Sequence, residues 1–206
     1  MGDIVPGIIL AGGHSSRMGC AKALLPVDQT GETFVERIAR TLHSGGVHDV
    51  VVVVAAEEAG ITNVLSETVP LPRIVVNPEP DLGQLSSLLV GLRAVDHPGI
   101  GGMLVTLVDV PLLSPDTVKT LLDTYRRTHA SVVRPVRQGR HGHPVIFDRA
   151  LFGALCNASL DAGANVVIRQ YEKDAIDVSV DDEGAFLDID TPEDYVRICE
   201  RPMPDW

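Results

Sequence analysis

A glycine-rich segment near the start of the chain carries two cationic side chains. It reads Leu10-Ala11-Gly12-Gly13-His14-Ser15-Ser16-Arg17-Met18-Gly19-Cys20-Ala21-Lys22 and continues an apolar stretch. Glycines let a backbone approach a ligand closely and point successive N–H groups at it. Arg17 can bind phosphate oxygens through two hydrogen bonds, and Lys22 can add a point charge. The segment, with Leu10, Ala11, Gly12 and Gly13 as its wall, therefore predicts a nucleoside triphosphate site.

The spacing of these glycines separates the segment from two familiar phosphate loops. It is not G-x-x-x-x-G-K-[ST], because Lys22 is followed by Ala23, and it is not G-x-G-x-x-G. The first difference disfavours a kinase-like NTPase and the second disfavours a dinucleotide dehydrogenase. The alternative interpretation is a glycine-rich turn whose two cations are merely solvated.

One carboxylate follows an apolar stretch in the middle of the chain. Asp109 ends Leu107-Val108-Asp109. Mg²⁺ prefers carboxylate oxygens, and one or two acids suffice when substrate phosphates complete its ligands. Asp109 is therefore a candidate Mg²⁺ ligand, with a helix cap or turn as its alternative role. Asp190 stands just before Thr191-Pro192, where position alone predicts only a part in starting a helix.

Polar residues in the middle of the chain are candidates for the two substrates. Asn77 follows a predicted strand, and Ser86 and Ser87 open a predicted helix, where they could bind the nucleobase or a phosphate. The segment 134–144 places three arginines and two histidines around a glycine turn. Because the whole chain has a formal net charge of −11, this local basic cluster predicts a site for a phosphorylated acceptor, with Arg140, His143 and Pro144 as its residues. A metal site at His141-x-His143 is disfavoured, since no cysteine or further histidine lies nearby in sequence.

Alternating strand and helix patterns predict how these residues are positioned. Predicted strands span 4–11, 50–56, 73–76, 103–108, 132–136, 145–147 and 175–180. The run 50–56 is apolar at consecutive positions, which is typical of a strand covered on both faces. The pattern predicts a three-layer α/β fold, with a mostly parallel, Rossmann-like sheet and helices on both faces. In such sheets ligands bind beyond the carboxyl ends of the strands, where the candidate residues fall.

Helix starts are readable at four places. Thr33 and Glu36 have the spacing of a capping box, and an apolar stripe begins at Gln84. Ser114-Pro115 and Thr191-Pro192 each combine a capping residue with proline in the first turn. Helices are therefore expected after each of these positions.

Composition narrows the class of protein. The chain has 206 residues, 45% of them hydrophobic, with no linker-like segment, so one domain over 1–206 is expected. The net charge disfavours nucleic acid and anionic membranes as partners. The longest apolar run is too short for a bilayer, and Met1-Gly2-Asp3 lacks the positive start of a signal peptide. With three widely spaced cysteines, a cytoplasmic location is expected.

The glycine-rich segment with Ala23-Leu24-Leu25-Pro26 resembles the LAGGxSxRMGxxKxLLP signature of nucleotidyltransferases that act on the molybdenum cofactor, within a GT-A-like superfamily. The resemblance implies that Arg17 and Lys22 hold the triphosphate. It also implies that Asp109 binds metal, assisted by Asp190 in a DIDTPEDY-like segment.

Further motifs concern the base and the acceptor. His143-Pro144 after Gly142, and Asp161-Ala162-Gly163-Ala164, resemble the branch that transfers a cytidylyl group. Leu10-Ala11-Gly12-Gly13 instead matches the form commoner in the guanylyl branch, where the cytidylyl branch has LAAG. The two regions therefore disagree, and CTP is predicted over GTP because more of the motifs favour it.

The resemblance implies a reaction and its partners. A phosphate oxygen of molybdopterin bearing molybdenum would attack the α-phosphorus of CTP with Mg²⁺, and a molybdoenzyme would receive the product. Arg17, Lys22 and Asp109 are the predicted catalytic residues. The alternatives are a guanylyl- or sugar/polyol-phosphate transferase of the same fold, and a non-catalytic escort that binds nucleotide or molybdopterin.

Overall fold

The computed structural model describes residues 4–13, 17–55, 59–66 and 70–204, and the described strands join in one sheet of eight. The strands are β1 (Gly7–Leu10), β2 (Val50–Ala55), β3 (Arg73–Asn77), β4 (Gly102–Leu107), β5 (Val132–Arg137), β6 (Arg140–His141), β7 (Val145–Asp148) and β8 (Ala175–Ser179). Their order is β3-β2-β1-β4-β7-β5-β6, and β8 pairs with β5.

The sheet is mixed and mostly parallel, as predicted. β1 lies between β2 and β4 and is parallel to both, with Ile8 opposite Val51 and Val105. β7 is antiparallel to β4 and β5, and β8 is parallel to β5. The carboxyl ends of β1 and β4 therefore lie side by side at one edge of the sheet, and loops that leave them face the same space.

Helices cover both faces of the sheet. They are α1 (Phe34–Ser44), α2 (Ala59–Leu65), α3 (Gln84–Val95), α4 (Pro115–Thr128), α5 (Phe152–Asn157), α6 (Asn165–Gln170) and α7 (Pro192–Cys199). Along β2, Val52 and Val54 join the core shared with α1 and α4, whereas Val51 and Val53 join the core shared with α3 and α5. The consecutive valines are explained by burial on both faces.

The four predicted helix starts are confirmed. Glu36 accepts hydrogen bonds from the backbone N–H and hydroxyl of Thr33, at 2.8 and 2.6 Å. The hydroxyl of Ser114 accepts from the N–H of Asp116, and that of Thr191 accepts from the N–H of Asp194. These side chains satisfy N–H groups that have no partner within the helix.

The structure corrects one predicted strand boundary and adds elements that were not predicted. β1 begins at Gly7 rather than at residue 4, because Pro6 has no N–H for a ladder and Ile4 forms only an isolated bridge with Ile100. β6, α2, α5 and α6 were not predicted, since elements this short show little periodicity. Residue 56, predicted as the end of β2, lies outside the described residues.

Candidate active site

A cleft of about 440 Å³ opens at the carboxyl edge of the sheet, and we call it the charged cleft. Its lining comes from the ends of β1 and β4 and the loops after them, from the turn before α3 and the first turn of α3, and from Asp190, two residues before α7. The lining residues are Leu10, Gly12, Gly13, Arg17, Lys22, Pro80, Asp81, Gly83, Gln84, Ser87, Leu107, Val108, Asp109 and Asp190. The structure therefore brings both predicted cations and both predicted carboxylates to one cavity.

Lys22 lies between the two carboxylates. Its Nζ is 2.5 Å from Oδ1 of Asp190 and 3.5 Å from Oδ2 of Asp109. Lys22 begins a 3-10 turn over Lys22–Leu24 and is buried, and Leu25 behind it is fully buried. The backbone that carries Lys22 is therefore fixed by the core.

Arg17 reaches the same carboxylate from the solvent side. Its Nη2 is 2.9 Å from Oδ2 of Asp190, and 68% of its side chain is exposed. Residues 14–16 of the predicted phosphate loop lie outside the described residues. Arg17 and Lys22 thus contact different oxygens of Asp190, and the Arg17 side chain is exposed whereas that of Lys22 is buried.

A backbone hydrogen bond holds the two distant acidic segments together. The N–H of Ile189 donates to the carbonyl oxygen of Asp109 at 2.8 Å. Asp182 fixes the start of the same segment, because its carboxylate accepts from the N–H of Ser114, the hydroxyl of Thr117 and the N–H of Gly184. Sequence reasoning missed Asp182, because no motif marks it.

The two carboxylates differ electrostatically. Burial raises the pKa of Asp109 above its ordinary value, and Lys22 opposes this rise. A hydrogen bond from Lys22 lowers the pKa of Asp190. Oδ1 of Asp109 is buried and has no hydrogen-bond partner among the described residues. A buried, unpartnered carboxylate oxygen beside a second carboxylate fits a hard divalent cation.

The carboxylates alone would not enclose a metal. Within the described ranges, no group of three or more His, Cys, Asp or Glu side chains is arranged to hold a metal ion. Mg²⁺ keeps several waters and takes oxygens from substrate phosphates, so two carboxylates are sufficient for it. Asp109 and Asp190 are therefore the residues that would hold such an ion.

The predicted nucleotide-binding residues fall on both sides of the cleft wall. Leu10, Gly12, Gly13 and Ser87 line the cleft, whereas Ala11, Asn77 and Ser86 are buried outside its lining. The amide of Asn77 donates to the hydroxyls of Ser86 and Ser87, at 2.9 and 3.0 Å. Asn77 thus positions Ser87 from behind the wall.

Gly12 lies against the end of β2. A Cβ atom built on Gly12 would lie 3.2 Å from the backbone nitrogen of Ala55 and 3.3 Å from the carbonyl carbon of Val54. These separations are shorter than ordinary van der Waals contact, so a side chain here would push β2 away. Close packing on β2 therefore accounts for this glycine.

Asp81 and Gln84 also line the charged cleft, and sequence reasoning did not select them. Both lie in the segment that leads from β3 into α3. The rule that ligands bind at the carboxyl ends of strands points to this segment, and it could have identified them.

A second cavity of about 250 Å³ adjoins the first, and we call it the apolar pocket. Leu10, Gln84 and Leu107 line both cavities. Most of its remaining lining is apolar and comes from α3, β4, β7 and α6. That lining is Leu85, Leu88, Val105, Arg134, His141, Gly142, His143, Val145, Phe147, Ala164, Asn165 and Ile168.

Two histidines, His141 and His143, line this pocket. Burial lowers the pKa of His143 below its ordinary value of about 6.5, although Asp109 and a hydrogen bond with the backbone of Val105 oppose the effect. The ring of His143 is therefore neutral near pH 7. Its Nδ1 is buried and has no hydrogen-bond partner among the described residues, which leaves one polar atom of the ring unsatisfied.

The predicted basic cluster is largely neutralised by nearby acids. Arg134 donates to Asp177 at 2.7 Å and to Glu172 at 2.5 Å, and His141 lies 3.0 Å from Asp177. Arg137 pairs with Glu183. These acids lie more than thirty positions away in sequence, and the pairing of β5 with β8 brings Asp177 opposite Arg134.

The predicted acceptor residues are not all brought together. His143 lines the apolar pocket, but Arg140 and Pro144 are not part of its lining. Arg140 is exposed at the start of β6, and Pro144 is buried and joined to His143 by a cis peptide bond.

Comparisons with known proteins agree with this geometry. Residues 7–175 match the model of the MobA-like NTP transferase domain. The chain is 39% identical over 212 residues to a protein named nicotine blue oxidoreductase from Paenarthrobacter nicotinovorans, with 96% of this chain and 100% of that protein covered. It is 29% identical over 201 residues to a probable molybdenum cofactor guanylyltransferase from Natronomonas pharaonis, with 95% and 96% covered.

Solved structures share the fold. The crystal structure of Rv0371c from Mycobacterium tuberculosis H37Rv aligns with a TM-score of 0.81 and 25% identity, over 98% of this chain and 100% of that chain. A complex of Rv0371c with manganese aligns with a TM-score of 0.77 and 24% identity, over 96% and 98%.

The sheet, its charged cleft and the matched domain define an enzyme of the nucleotidyltransferase class. Within that class, the chain belongs to the MobA-like NTP transferase family. Among the described helices, none has the length and apolar character needed to cross a membrane.

Proposed function

We propose that residues 1–206 act as one domain that transfers a nucleotidyl group from a nucleoside triphosphate to a phosphorylated acceptor and releases pyrophosphate. One observation carries the proposal. Arg17 and Lys22 share the charged cleft with Asp109 and Asp190, and Nζ of Lys22 lies within 3.5 Å of both carboxylates. A metal-bound triphosphate needs cations and carboxylates within reach of each other in this way.

Each pair of residues has its own part in the transfer. Arg17 and Lys22 bind the β- and γ-phosphates, and Asp109 and Asp190 hold a divalent cation, for which we propose Mg²⁺. A cation held by these two carboxylates would neutralise charge on the α-phosphate and on the leaving group. Protein charges held in place before the reaction stabilise the transition state without reorganising.

The bond changes balance without a proton acceptor. A phosphate oxygen of the acceptor forms a bond to the α-phosphorus as the bond between that phosphorus and the oxygen bridging to the β-phosphate breaks. The electron pair leaves with pyrophosphate, whose charge Arg17 and Lys22 neutralise. A phosphate acceptor is already ionised near neutral pH, so no side chain has to remove its proton.

The apolar pocket is the proposed site of the acceptor. It shares a border with the charged cleft, so a ring system bound there would place an attached phosphate towards Asp109. Neutral His143 would bind a polar edge of that ring. Molybdopterin is the proposed acceptor, since relatives are named for the molybdenum cofactor, and a molybdoenzyme is the proposed recipient of the product.

For the nucleobase we propose CTP over GTP. The Gly142-His143-Pro144 and Asp161–Ala164 elements favour CTP. Leu10-Ala11-Gly12-Gly13, the form that the resemblance associates with guanylyl transfer, favours GTP, but fewer motifs do so. GTP is the second candidate, because relatives are named guanylyltransferases.

Replacement of Asp109 tests the reaction. Asp109→Asn keeps the shape of the side chain but removes its charge, and we expect pyrophosphate release to fall at least about a hundredfold, the usual scale for loss of an electrostatic catalytic group. Circular dichroism and the thermal midpoint should stay close to wild type. Asp123→Asn, an exposed change on α4, is the control. Asp109→Asn that retains metal-dependent activity would refute the assignment.

A panel of ATP, CTP, GTP and UTP then identifies the base. Each is measured for Mg²⁺-dependent thermal stabilisation, and CTP is expected to give the largest shift. Pyrophosphate release with molybdopterin, sugar phosphates and polyol phosphates identifies the acceptor. An escort protein would bind a nucleotide yet release no pyrophosphate with any acceptor over hours.

Reduction of a heteroaromatic dye is a second candidate function. The observation that favours it is the 39% identity to the protein named nicotine blue oxidoreductase. The protein would be mixed with nicotine blue and NADH or NADPH, and the visible absorbance followed. Rapid bleaching without pyrophosphate release would favour reduction over nucleotidyl transfer.

A further inference from the structure

In the charged cleft, a carboxylate that is proposed to bind the metal is already paired with the two cations that are proposed to bind the triphosphate. Oδ1 of Asp190 accepts a hydrogen bond from Lys22 at 2.5 Å, and Oδ2 lies 2.9 Å from Nη2 of Arg17. Both oxygens of this carboxylate are therefore engaged by the two cations that the proposed function assigns to the triphosphate.

A metal ion and Lys22 cannot use the same oxygen of Asp190. Mg²⁺ binds oxygen at about 2.0–2.1 Å, and an ammonium 2.5 Å from that oxygen would lie next to the ion. Two cations this close repel each other strongly at a site that is largely shielded from water. Lys22 must therefore leave Oδ1 when a metal binds there.

The position of its backbone limits which partner the Lys22 ammonium can reach after it leaves Asp190. Its side chain is only 10% exposed, and the 3-10 turn that carries it is anchored by Leu25, so solvent is a poor destination. Asp109 offers no alternative, because the metal would hold that carboxylate as well. An anion in the cleft is the partner within reach.

We propose that Lys22 and Arg17 exchange Asp190 for polyphosphate as the ligands bind, so that divalent cation and triphosphate each bind weakly alone and tightly together. The inference rests on the proposed function, because it assumes that both ligands occupy the charged cleft. The two binding events are therefore coupled reciprocally. A metal on Asp190 releases Arg17 and Lys22 to bind phosphate, and phosphate on these cations releases Asp190 to bind the metal.

The first test measures metal binding without any polyphosphate. Mn²⁺ serves as the probe, and free Mn²⁺ is counted by electron paramagnetic resonance at neutral pH. Lys22→Met removes the competing charge, and we expect Mn²⁺ to bind about tenfold tighter than to wild type, the scale of one nearby unit charge at a partly solvated site. Lys119→Met, an exposed change on α4, should leave the affinity unchanged.

The second test measures polyphosphate binding without any metal. Inorganic tripolyphosphate is titrated by calorimetry in the presence of EDTA. Asp190→Asn releases both cations from the carboxylate, so tripolyphosphate should bind at least about threefold tighter than to wild type, an increase of a size common in coupled binding. Asp123→Asn makes the same change in net charge on an exposed part of α4 and should have no such effect.

The outcomes separate this inference from the proposed function. Wild type that binds neither Mn²⁺ nor tripolyphosphate, even when the two are supplied together, would overturn the site itself. Wild type that binds both, with Lys22→Met no tighter for Mn²⁺ and Asp190→Asn no tighter for tripolyphosphate, would overturn only the exchange. If Lys22→Met is unstable alone, its thermal midpoint with saturating Mn²⁺ should rise more than that of wild type, and an equal rise would contradict the proposal.

Discussion

The charged cleft and the apolar pocket lie side by side, yet different parts of the sheet build them. The cleft is formed by loops at the ends of the parallel strands β1 and β4, by the segment 80–87 and by Asp190, two residues before α7. The pocket is formed by side chains on α3, β4, β7 and α6, around the strands that pair antiparallel. Loop residues supply charge in one, and side chains on regular elements supply apolar walls in the other.

This difference suits the charged cleft to charged groups of a ligand and the apolar pocket to the shape of its uncharged part. In the cleft, each cation has a carboxylate partner that a metal or phosphate can replace. In the pocket, Arg134 is held by Glu172 and Asp177, and His143 is neutral, so little net charge is available to a ligand. The acceptor phosphate should therefore be bound at the border with the cleft, and the pocket should recognise the rest of the acceptor.

The largest predicted effect is a loss of stability on replacing Asp182, which supports the charged cleft but not the apolar pocket. Asp182→Ala removes the acceptor of three hydrogen bonds, and two of them, from Ser114 and Thr117, tie residues 182–190 to the start of α4. We expect a loss of about 2–3 kcal/mol in the free energy of unfolding, because hydrogen bonds to a charged acceptor are stronger than average. Urea unfolding followed by circular dichroism measures this loss.

The neighbouring aspartate supplies the control for Asp182→Ala. Asp181 is fully exposed, and its only ion pair within the described ranges is a long contact with Arg137. Asp181→Ala should therefore leave the free energy of unfolding close to that of wild type. Equal destabilisation by the two variants would show that Asp182 does not hold the carboxylate segment in place.

The predictions made for the charged cleft and the apolar pocket also show what can be inferred from the sequence. Asp109 was identified because it follows an apolar strand at the expected edge, and Asp190 was identified through its DIDTPEDY-like segment. The structure brings the two carboxylates to one cleft. The pairing of Arg134 with Asp177 was not predicted, because it depends on β8 returning beside β5. Local patterns show where a residue lies along the chain, whereas the partner of a charge depends on contacts between distant segments.

The same limit applies to the predicted nucleotide site. Asn77 was placed correctly at the end of β3, but its side chain points to Ser86 and Ser87 behind the wall rather than into the cleft. No local pattern distinguishes these two directions. Asp182 was missed for a related reason, because its partners Ser114 and Thr117 are distant in sequence.

Filling the apolar pocket should separate the two regions kinetically. Ile168 lines the pocket from α6, and Ile168→Trp adds volume there. We expect the KM for the acceptor to rise about tenfold, while the KM for the nucleotide stays within twofold, because lost pocket contacts cost about 1–3 kcal/mol. Steady-state pyrophosphate release with each substrate varied in turn gives both constants.

Val166→Trp is the control for Ile168→Trp, because Val166 lies on the same helix, is 43% exposed and does not line the pocket. It should leave both constants unchanged. A rise in the KM for the nucleotide that matches the rise for the acceptor would mean that the two cavities form one undivided site.

The smallest predicted effect concerns the polar end of the apolar pocket. Burial tends to raise the pKa of Asp177, but hydrogen bonds from Arg134 and His141 outweigh it and hold the pKa below its ordinary value of about 3.9. A carboxyl group with a lowered pKa in the folded state adds stability above its unfolded pKa, and this stability is lost as pH falls through its folded pKa. Asp177→Asn should therefore reduce the free energy of unfolding at pH 7 by less than about 1 kcal/mol, since the side chain is 40% exposed.

The difference from wild type should shrink steadily in urea titrations at pH 5, 4 and 3. A difference that is the same at pH 7 and pH 3 would mean that the hydrogen-bonding shape of Asp177, rather than its charge, holds Arg134 at the edge of the pocket.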